Sequence, residues 1–461
     1  MPQQDRSHPR LTLQLRWLRF MPDAPLGTAA RTNAQTVEVP AGLGMLRTFL
    51  RVLGPGYLVA VGYMDPGNWA TDLAAGSQFG YRLLWVIGLS SLMAMVLQSL
   101  CCRLGIATRL DLAQACSRLL PRFCRIPLWL LAEVGIIACD LAELVGSAIA
   151  LQLLFGLPLL WGVGLTAADT LLLLALQRFG IRRLEALVIA LVALVGGCFA
   201  VEMFLLQPDW GQVGQGFLPQ AASLRDGQQL FLAAGILGAT VMPHNLYLHS
   251  SLVQTRRWIG GVRAQARALA FSTWDTLIAL SLAFLINVSI LVLAAGSFYG
   301  RMPQPVTDLS EAYRLLTPML GTSLASVLFG VALLAAGQSS TLTATMAGQV
   351  VMEGFLNLRL PDWKRRLLTR GLALIPALAT VLLLGEQATN QLLVLSQVVL
   401  SLQLPFAVIP LVWFCGRRGL MGELQAPRWL LGLAWACAAL IVLINGSLLL
   451  ALARLAFSFG S

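Results

Sequence analysis

Tyr63-Met64-Asp65-Pro66-Gly67-Asn68 and, about 177 residues further on, Met242-Pro243-His244 place two polar interruptions in the middle of otherwise apolar, membrane-length segments. Proline removes a backbone donor and glycine admits unusual backbone angles, so carbonyls near each interruption lose their helical partners. In hydrocarbon, such carbonyls and an ionised carboxylate are tolerated only around a bound ion, a cavity or a protein partner. A pair of interruptions at corresponding places in two halves of one chain reads as an ion site made by broken helices.

The rest of the chain fits that reading. Of 461 residues 57% are hydrophobic and 11% charged, with a mean hydropathy of +0.75, too few charges to cover a soluble globule of this size. About 20 apolar residues span a bilayer as a helix. The sequence divides into about eleven such segments, near 49–80, 82–103, 126–150, 157–177, 184–206, 228–255, 268–295, 320–353, 370–385, 390–414 and 429–453. The expected class is therefore an all-α polytopic membrane protein.

A net charge of +11 would also suit a nucleic-acid binder, but the placement of the basic residues argues for topology instead. With the N-terminus inside, 27 of the 32 Lys and Arg residues fall on the inner side and five, Arg82, Arg225, Arg301, Arg314 and Arg454, fall outside. That is the positive-inside pattern, and eleven spans then put the C-terminus outside, in an inner or plasma membrane. The first 46 residues carry no central apolar run and read as a cytoplasmic tail rather than a signal peptide, with Leu11 to Phe20 a candidate for a short helix lying on the membrane. The eight cysteines form no extracellular disulfide framework.

Residues 47–461 are expected to form one transmembrane domain. Five spans in about 49–206 and five in about 228–414 make two sets; an odd number per set inverts the second relative to the first, and the span at about 429–453 is an appendage. The first span of each set is the one with the proline-containing break. The connections at about 207–227 and 296–319 are candidates for external gates.

At the first break Asp65 offers a carboxylate and Asn68 an amide oxygen, both hard donors. At the second, Met242 offers a soft thioether beside the carbonyls of Ala239 and Thr240. Magnesium and calcium prefer oxygen, so a mixed oxygen and sulfur set favours a transition metal. On the third span Glu133, Asp140 and Glu143 stand at offsets of 0, 7 and 10, within about 80° on one helical face, a stripe of intramembrane acids suited to passing protons. His244 adjoins the second break and His249 lies in the same half-helix; Asp169 is a further intramembrane acid.

Tyr63-Met64-Asp65-Pro66-Gly67-Asn68 together with Ala239-Thr240-Val241-Met242-Pro243-His244-Asn245-Leu246-Tyr247-Leu248-His249-Ser250 closely resembles the Nramp divalent-metal transporters, in particular the bacterial proton-coupled manganese importers. The Glu133/Asp140/Glu143 span, Gln338-Ser339-Ser340-Thr341 and Leu402-Gln403-Leu404-Pro405-Phe406-Ala407 resemble family segments too, so that only the N-terminal tail lacks a family motif. The resemblance implies a LeuT-type inverted repeat of five plus five helices with an eleventh. It implies metal ligation by Asp65, Asn68, Met242 and the carbonyls of Gly62 and Ala239, with Gln397 a further ligand for which Gln391 and Gln403 are alternatives. It also implies that protons released near Asp65 pass to Asp140 and Glu143, with His244 and Glu133 along the way and Arg365 and Arg366 on the inner side.

The expected function is import of manganese, and of iron and other divalent transition metals, coupled to protons by alternating access. Metal ions and protons are then substrates, the lipid bilayer is the surroundings, and no cofactor, nucleic acid or obligatory protein partner is implied. A sodium-coupled amino-acid transporter of the same fold, a metal sensor and a channel are the other readings. An enzyme is disfavoured, since neither a phosphate-binding loop nor a metalloprotease or hydrolase motif is present.

Overall fold

The computed structural model describes residues 36–40, 42, 44–167, 180–220, 226–258, 262–358, 362–385 and 388–459. A helix α1 (Met45–Val52) ends before Gly54, whose φ of 141° only glycine adopts without strain, and Pro55 then opens α2 (Pro55–Gly62) at its first turn. After the break, α3 (Pro66–Phe79) starts with Asp65 as N-cap and Pro66 in its first turn. The chain continues through α4 (Leu84–Thr108), α5 (Leu112–Leu119, opened by an Asp111/Gln114 capping box), α6 (Arg122–Phe155) and a helical run at 159–167, then α7 (Ile181–Leu206).

The second set repeats the plan. It comprises α8 (Gly227–Val241), α9 (Pro243–Leu252), α10 (Val262–Phe298), a short helix α11 (Leu309–Leu320), α12 (Ser323–Leu356), α13 (Asp362–Leu384) and α14 (Ala388–Cys415), after which α15 (Arg428–Phe459) closes the described chain. Asp226 and Asp308 cap α8 and α11 by accepting from first-turn backbone amides.

Among the described residues eight helical stretches are long and apolar enough to cross a membrane; the stretch 66–108 joins α3 to α4, the apolar part of α13 is shorter, and the fourth expected span runs out of the described residues. The protein is thus a multi-pass membrane protein. Many large apolar side chains are exposed, among them Phe204, Trp274, Leu285, Leu383, Trp429 and Leu450, while Asp65, Asn68, Asp140, Glu143, His244 and Gln397 are buried. That inside-out distribution is what lipid as solvent demands.

Two boundaries differ from expectation with consequences. The first span is three helices rather than one broken one, because Gly54 turns the chain before Pro55. The ninth span begins at Asp362 rather than near 370, since its first two turns are basic and escape a hydropathy reading; Arg370 therefore lies within the helix and not at its mouth. The end of the N-terminal stretch is also engaged: β1 (Val37–Val39) pairs in parallel with β2 (Arg256–Trp258).

The core is organised around α6, which packs on α12, α13 and α14, and around α10, which packs on α2, α3 and α4. The two broken pairs meet where α3 packs on α8 and α2 on α9. Pro66 presses against Gly146 of α6, where a Cβ would overlap its ring, so the first break seats directly on the third span.

Candidate metal centre

The second break follows from one missing proton. Pro243 has no N–H to offer Ala239, four residues back, so the Ala239 carbonyl is left without its helical donor. Met242, at the hinge, has a φ of 32°, a region non-glycine residues reach at a cost of about 1–3 kcal/mol. At the first break Tyr63, Met64 and Asp65 donate to carbonyls three residues back rather than four, and the Tyr63 and Met64 carbonyls are taken by Asn287 Nδ2 (2.8 Å) and Trp69 Nε1 (3.1 Å).

The two breaks meet through Asn68. Its Nδ2 donates both to Asp65 Oδ1 (2.8 Å) and to the freed Ala239 carbonyl (2.9 Å), and its backbone N–H also donates to Asp65 Oδ1 (2.8 Å). Asp65 is thus a helix cap and a member of the cage at once. From α14, Gln397 Nε2 approaches Asp65 Oδ2 at 3.4 Å, close enough to Gly67 that any Cβ there would overlap the amide. Of the three candidate glutamines, Gln397 is the one at the cage; Gln391 lines a separate cavity and Gln403 lies beside Gly135.

Met242 joins through a residue the sequence reading passed over. Asn245 Nδ2 lies 3.6 Å from Met242 Sδ and 3.4 Å from the Val59 carbonyl, and it packs on Gly62 so tightly that a Cβ there would overlap it. Asn245 lies in the stretch 239–250, three residues after Met242 on the helix, and that spacing is its signal in the sequence. The Gly62 carbonyl accepts from Asp65 N at 3.3 Å.

Among the described residues, four buried oxygens at these breaks have no hydrogen-bond partner: Asn68 Oδ1, Gln397 Oε1, Asn245 Oδ1 and Thr240 Oγ1. Unsatisfied buried acceptors are uncommon and each requires a reason. Turning the Asn68 and Gln397 amides about their axes would replace N–H groups facing Asp65 and Ala239 by oxygen lone pairs. The same side chains would then present acceptors to a cation. Among the described residues no three of His, Cys, Asp or Glu gather around one point, so the cage is built of one acid with amide, carbonyl and thioether groups.

A second polar cluster leads away from it. His244 Nε2 lies 3.7 Å from Cys139 Sγ on α6, and Cys139 Sγ lies 3.5 Å from Glu143 Oε1. Glu143 Oε2 pairs with Arg370 at 3.5 Å, and Arg370 donates to the Asp140 carbonyl (3.2 Å) and to Thr341 Oγ1 (3.0 Å). Asp140 is buried one turn before Glu143, whereas Glu133 is only half-buried and accepts from Trp129 Nε1 (3.1 Å). The side chains of Arg365 and Arg366 lie outside the described residues, as does Asp169; the arginine set against the acids is Arg370, one turn further along the same helix. Cys139 and Arg370 are not among the site residues expected from sequence.

The breaks lie between a cavity and a seal. Beyond α3 and α8 a cavity of about 1340 Å³ is lined by Gln78, Gln152, Gln228, Asp308, Glu311 and Gln391. At the opposite end Asp275 accepts from Gly54 N (3.2 Å) and Gly56 N (2.7 Å), and Arg256 binds Glu185 (2.7 Å) and the carbonyls of Val52 and Leu53.

Comparison with known proteins gives a consistent picture. The profile of the Nramp family, described as natural resistance-associated macrophage protein-like, matches residues 56–451. The chain is 58% identical over 416 residues to a divalent metal cation transporter MntH of Nostoc sp., covering 90% of this chain and 94% of that one. It is 56% identical to the corresponding MntH of Xanthomonas campestris, covering 93% and 95%. A crystal structure of a manganese transporter from Eremococcus coleocola is 41% identical with a TM-score of 0.82, covering 89% of this chain and 88% of that one. The structure of MhsT in complex with L-phenylalanine, at 15% identity and a TM-score of 0.55 over 85% and 98% of the two chains, shares the LeuT-type fold alone.

Proposed function

The chain belongs to the Nramp family, a family of transporters and not of enzymes, and on that premise we propose that it imports divalent transition-metal ions, manganese and iron among them, together with protons by alternating access. The observation that carries this reading is the meeting of Asp65, Asn68, Gln397 and the Ala239 carbonyl around unsatisfied oxygens, with Met242 adjoining through Asn245. The ion is held by Asp65, by Asn68 and Gln397 after their amides turn, by the Ala239 and Gly62 carbonyls and by Met242 Sδ. The thioether disfavours calcium and magnesium.

The proton leaves Asp65 as the ion arrives and passes by His244 and Cys139 to Glu143 and Asp140, with Arg370 as the cation that receives the charge on the inner side. The relay runs beside the metal and not through it. Moving two charges inward through 100 mV supplies about 4.6 kcal/mol and each proton about 2.3 kcal/mol more. The arginine-rich end sealed by Asp275 and Arg256 is assigned to the cytoplasm, with the C-terminus outside, and the cavity lined by Gln78 and Gln228 is the entrance from outside. That assignment makes this arrangement the outward-facing one. A sodium-coupled amino-acid carrier would have to seat a substrate carboxylate against the anionic Asp65, which the cage opposes.

Radiolabelled manganese uptake into proteoliposomes, with and without a pH gradient, tests the proposal. Asp65→Ala should abolish saturable uptake while the protein elutes as a folded species; retained uptake in that variant would remove the cage as the site.

A further inference from the structure

Below the cage, on α9, His249 follows Met242 by seven residues, about 10 Å along the helix. Its Nε2 lies 3.5 Å from Cys102 Sγ on α4 and 3.3 Å from Thr276 Oγ1 on α10, and Cys102 Sγ lies 3.5 Å from Thr276 Oγ1. All three side chains are buried.

The protons of this triangle can be counted. Gln98 Nε2 donates to Tyr63 Oη (2.8 Å), so its Oε1 accepts from His249 Nδ1 (2.8 Å), and the lone pair of His249 Nε2 faces the triangle. Thr276 Oγ1 spends its hydrogen on the Ser272 carbonyl (2.7 Å), so it too presents lone pairs. One exchangeable proton, on the Cys102 thiol, is left among three acceptors. A tetrahedral ion with bonds of about 2.3 Å to sulfur, 2.05 Å to nitrogen and 2.1 Å to oxygen has ligand edges of about 3.5 Å (S to N), 3.4 Å (N to O) and 3.6 Å (S to O). The observed edges of 3.5, 3.3 and 3.5 Å lie close to these values.

We propose that Cys102, His249 and Thr276 form a second metal site, distinct from the Asp65 cage, that takes a thiophilic divalent cation of the zinc, cadmium or cobalt class. Binding exchanges the thiol proton for the ion: the S–H bond breaks, a sulfur–metal bond forms with the same electron pair, and the proton leaves to water. Thiolate and imidazole select softer ions than the cage, which has no thiolate. Three ligands leave the fourth position for water or an arriving ligand, and the Tyr63–Gln98–His249 line ties the site to the first break. The inference goes beyond metal import, and its test does not depend on uptake.

The test uses the full-length Asp65→Ala protein in detergent, in which the cage is disabled, titrated with cobalt and read by thiolate-to-cobalt charge-transfer absorption. The expected result is a band that saturates at one cobalt per chain and is bleached by zinc. It should vanish in Cys102→Ser and Cys102→Ala, each shown monodisperse by size exclusion, and persist in Cys139→Ser, which controls for the other cysteine beside a histidine. Gln98→Leu, which frees the His249 tautomer, should weaken cobalt binding about 10–100-fold. No band in folded protein, meaning a merely hydrogen-bonded thiol, would overturn the proposal. A band that survives both Cys102 substitutions, or one that Cys139→Ser removes, would do the same.

Discussion

Arg370→Gln separates the roles of the Glu143 cluster most sharply. Arg370 is buried against Glu143, with side-chain exposures of 5% and 0%, at 3.5 Å. At that distance, with an effective dielectric constant of about 20, the attraction is about 5 kcal/mol, and removing one partner of a buried pair costs about 3–5 kcal/mol because the other charge is stranded. The donations to the Asp140 carbonyl and Thr341 Oγ1 go as well. Against a total stability of about 5–15 kcal/mol such a loss is large, and the protein can reduce it only by holding a proton on Glu143. Arg370→Gln should therefore melt several degrees lower and lose proton movement, while manganese binding at the cage persists. Glu143→Gln in the same chain removes the stranded charge and should restore most of the melting temperature without restoring proton movement. Thermal unfolding in detergent and a pH-sensitive dye in proteoliposomes measure the two arms. If the double variant is no more stable than Arg370→Gln, or the single variant moves protons normally, the pair has neither the energy nor the role assigned to it.

Met242→Ala should retain part of its manganese uptake but admit calcium more readily, read as a rise in competition by calcium; an unchanged competition profile would count against the thioether. Pro243→Ala gives position 243 a hydrogen to return to the Ala239 carbonyl; metal affinity measured by calorimetry should fall although the helix itself gains a bond. Gly238→Ala would drive a Cβ into the Gln397 carbonyl and to within 2.6 Å of Ser401 N, backbone atoms of α14 that cannot rotate aside, so folded yield should drop sharply on size exclusion. A normal yield for that variant would show that α8 and α14 are free to separate.

The breaks were legible because proline and glycine inside an apolar run are local signals, and Asp65, Asn68 and Met242 stand directly on them. The fold class was legible because hydropathy and the arginine distribution act over whole segments. Asn245, Cys139 and Arg370 were harder to see, each for a physical reason. Asn245 and Cys139 sit among residues of helical spacing, and only the meeting of two helices far apart in sequence makes one a bridge to Gly62 and the other a neighbour of His244. Arg370 was counted as a loop charge because hydropathy places a helix start where polarity ends, whereas α13 begins two basic turns earlier. The seal formed by Asp275, Arg256 and Glu185 was invisible for the same reason as Asn245: its partners come from separate spans, and nothing in their local sequence marks them.

Energetics ties these pieces to transport rather than storage. A buried acceptor left without a partner costs about 1–3 kcal/mol, so the four oxygens at the breaks call for an ion or water to satisfy them, and the φ of 32° at Met242 adds strain of about 1–3 kcal/mol. A cation bound as proposed would satisfy those oxygens while losing its own water, and the two effects would partly offset. A site with several carboxylates would bind a divalent ion far more tightly and release it slowly; one acid with neutral donors leaves the bound ion with net positive charge and a modest affinity. On the proposed coupling, departure of the Asp65 proton toward Glu143 would supply the single negative charge the ion needs, and its return would discharge the ion. A cage that is neither content when empty nor deep when full can be loaded and unloaded by a potential worth a few kcal/mol, which is the condition a carrier must meet and a storage site need not.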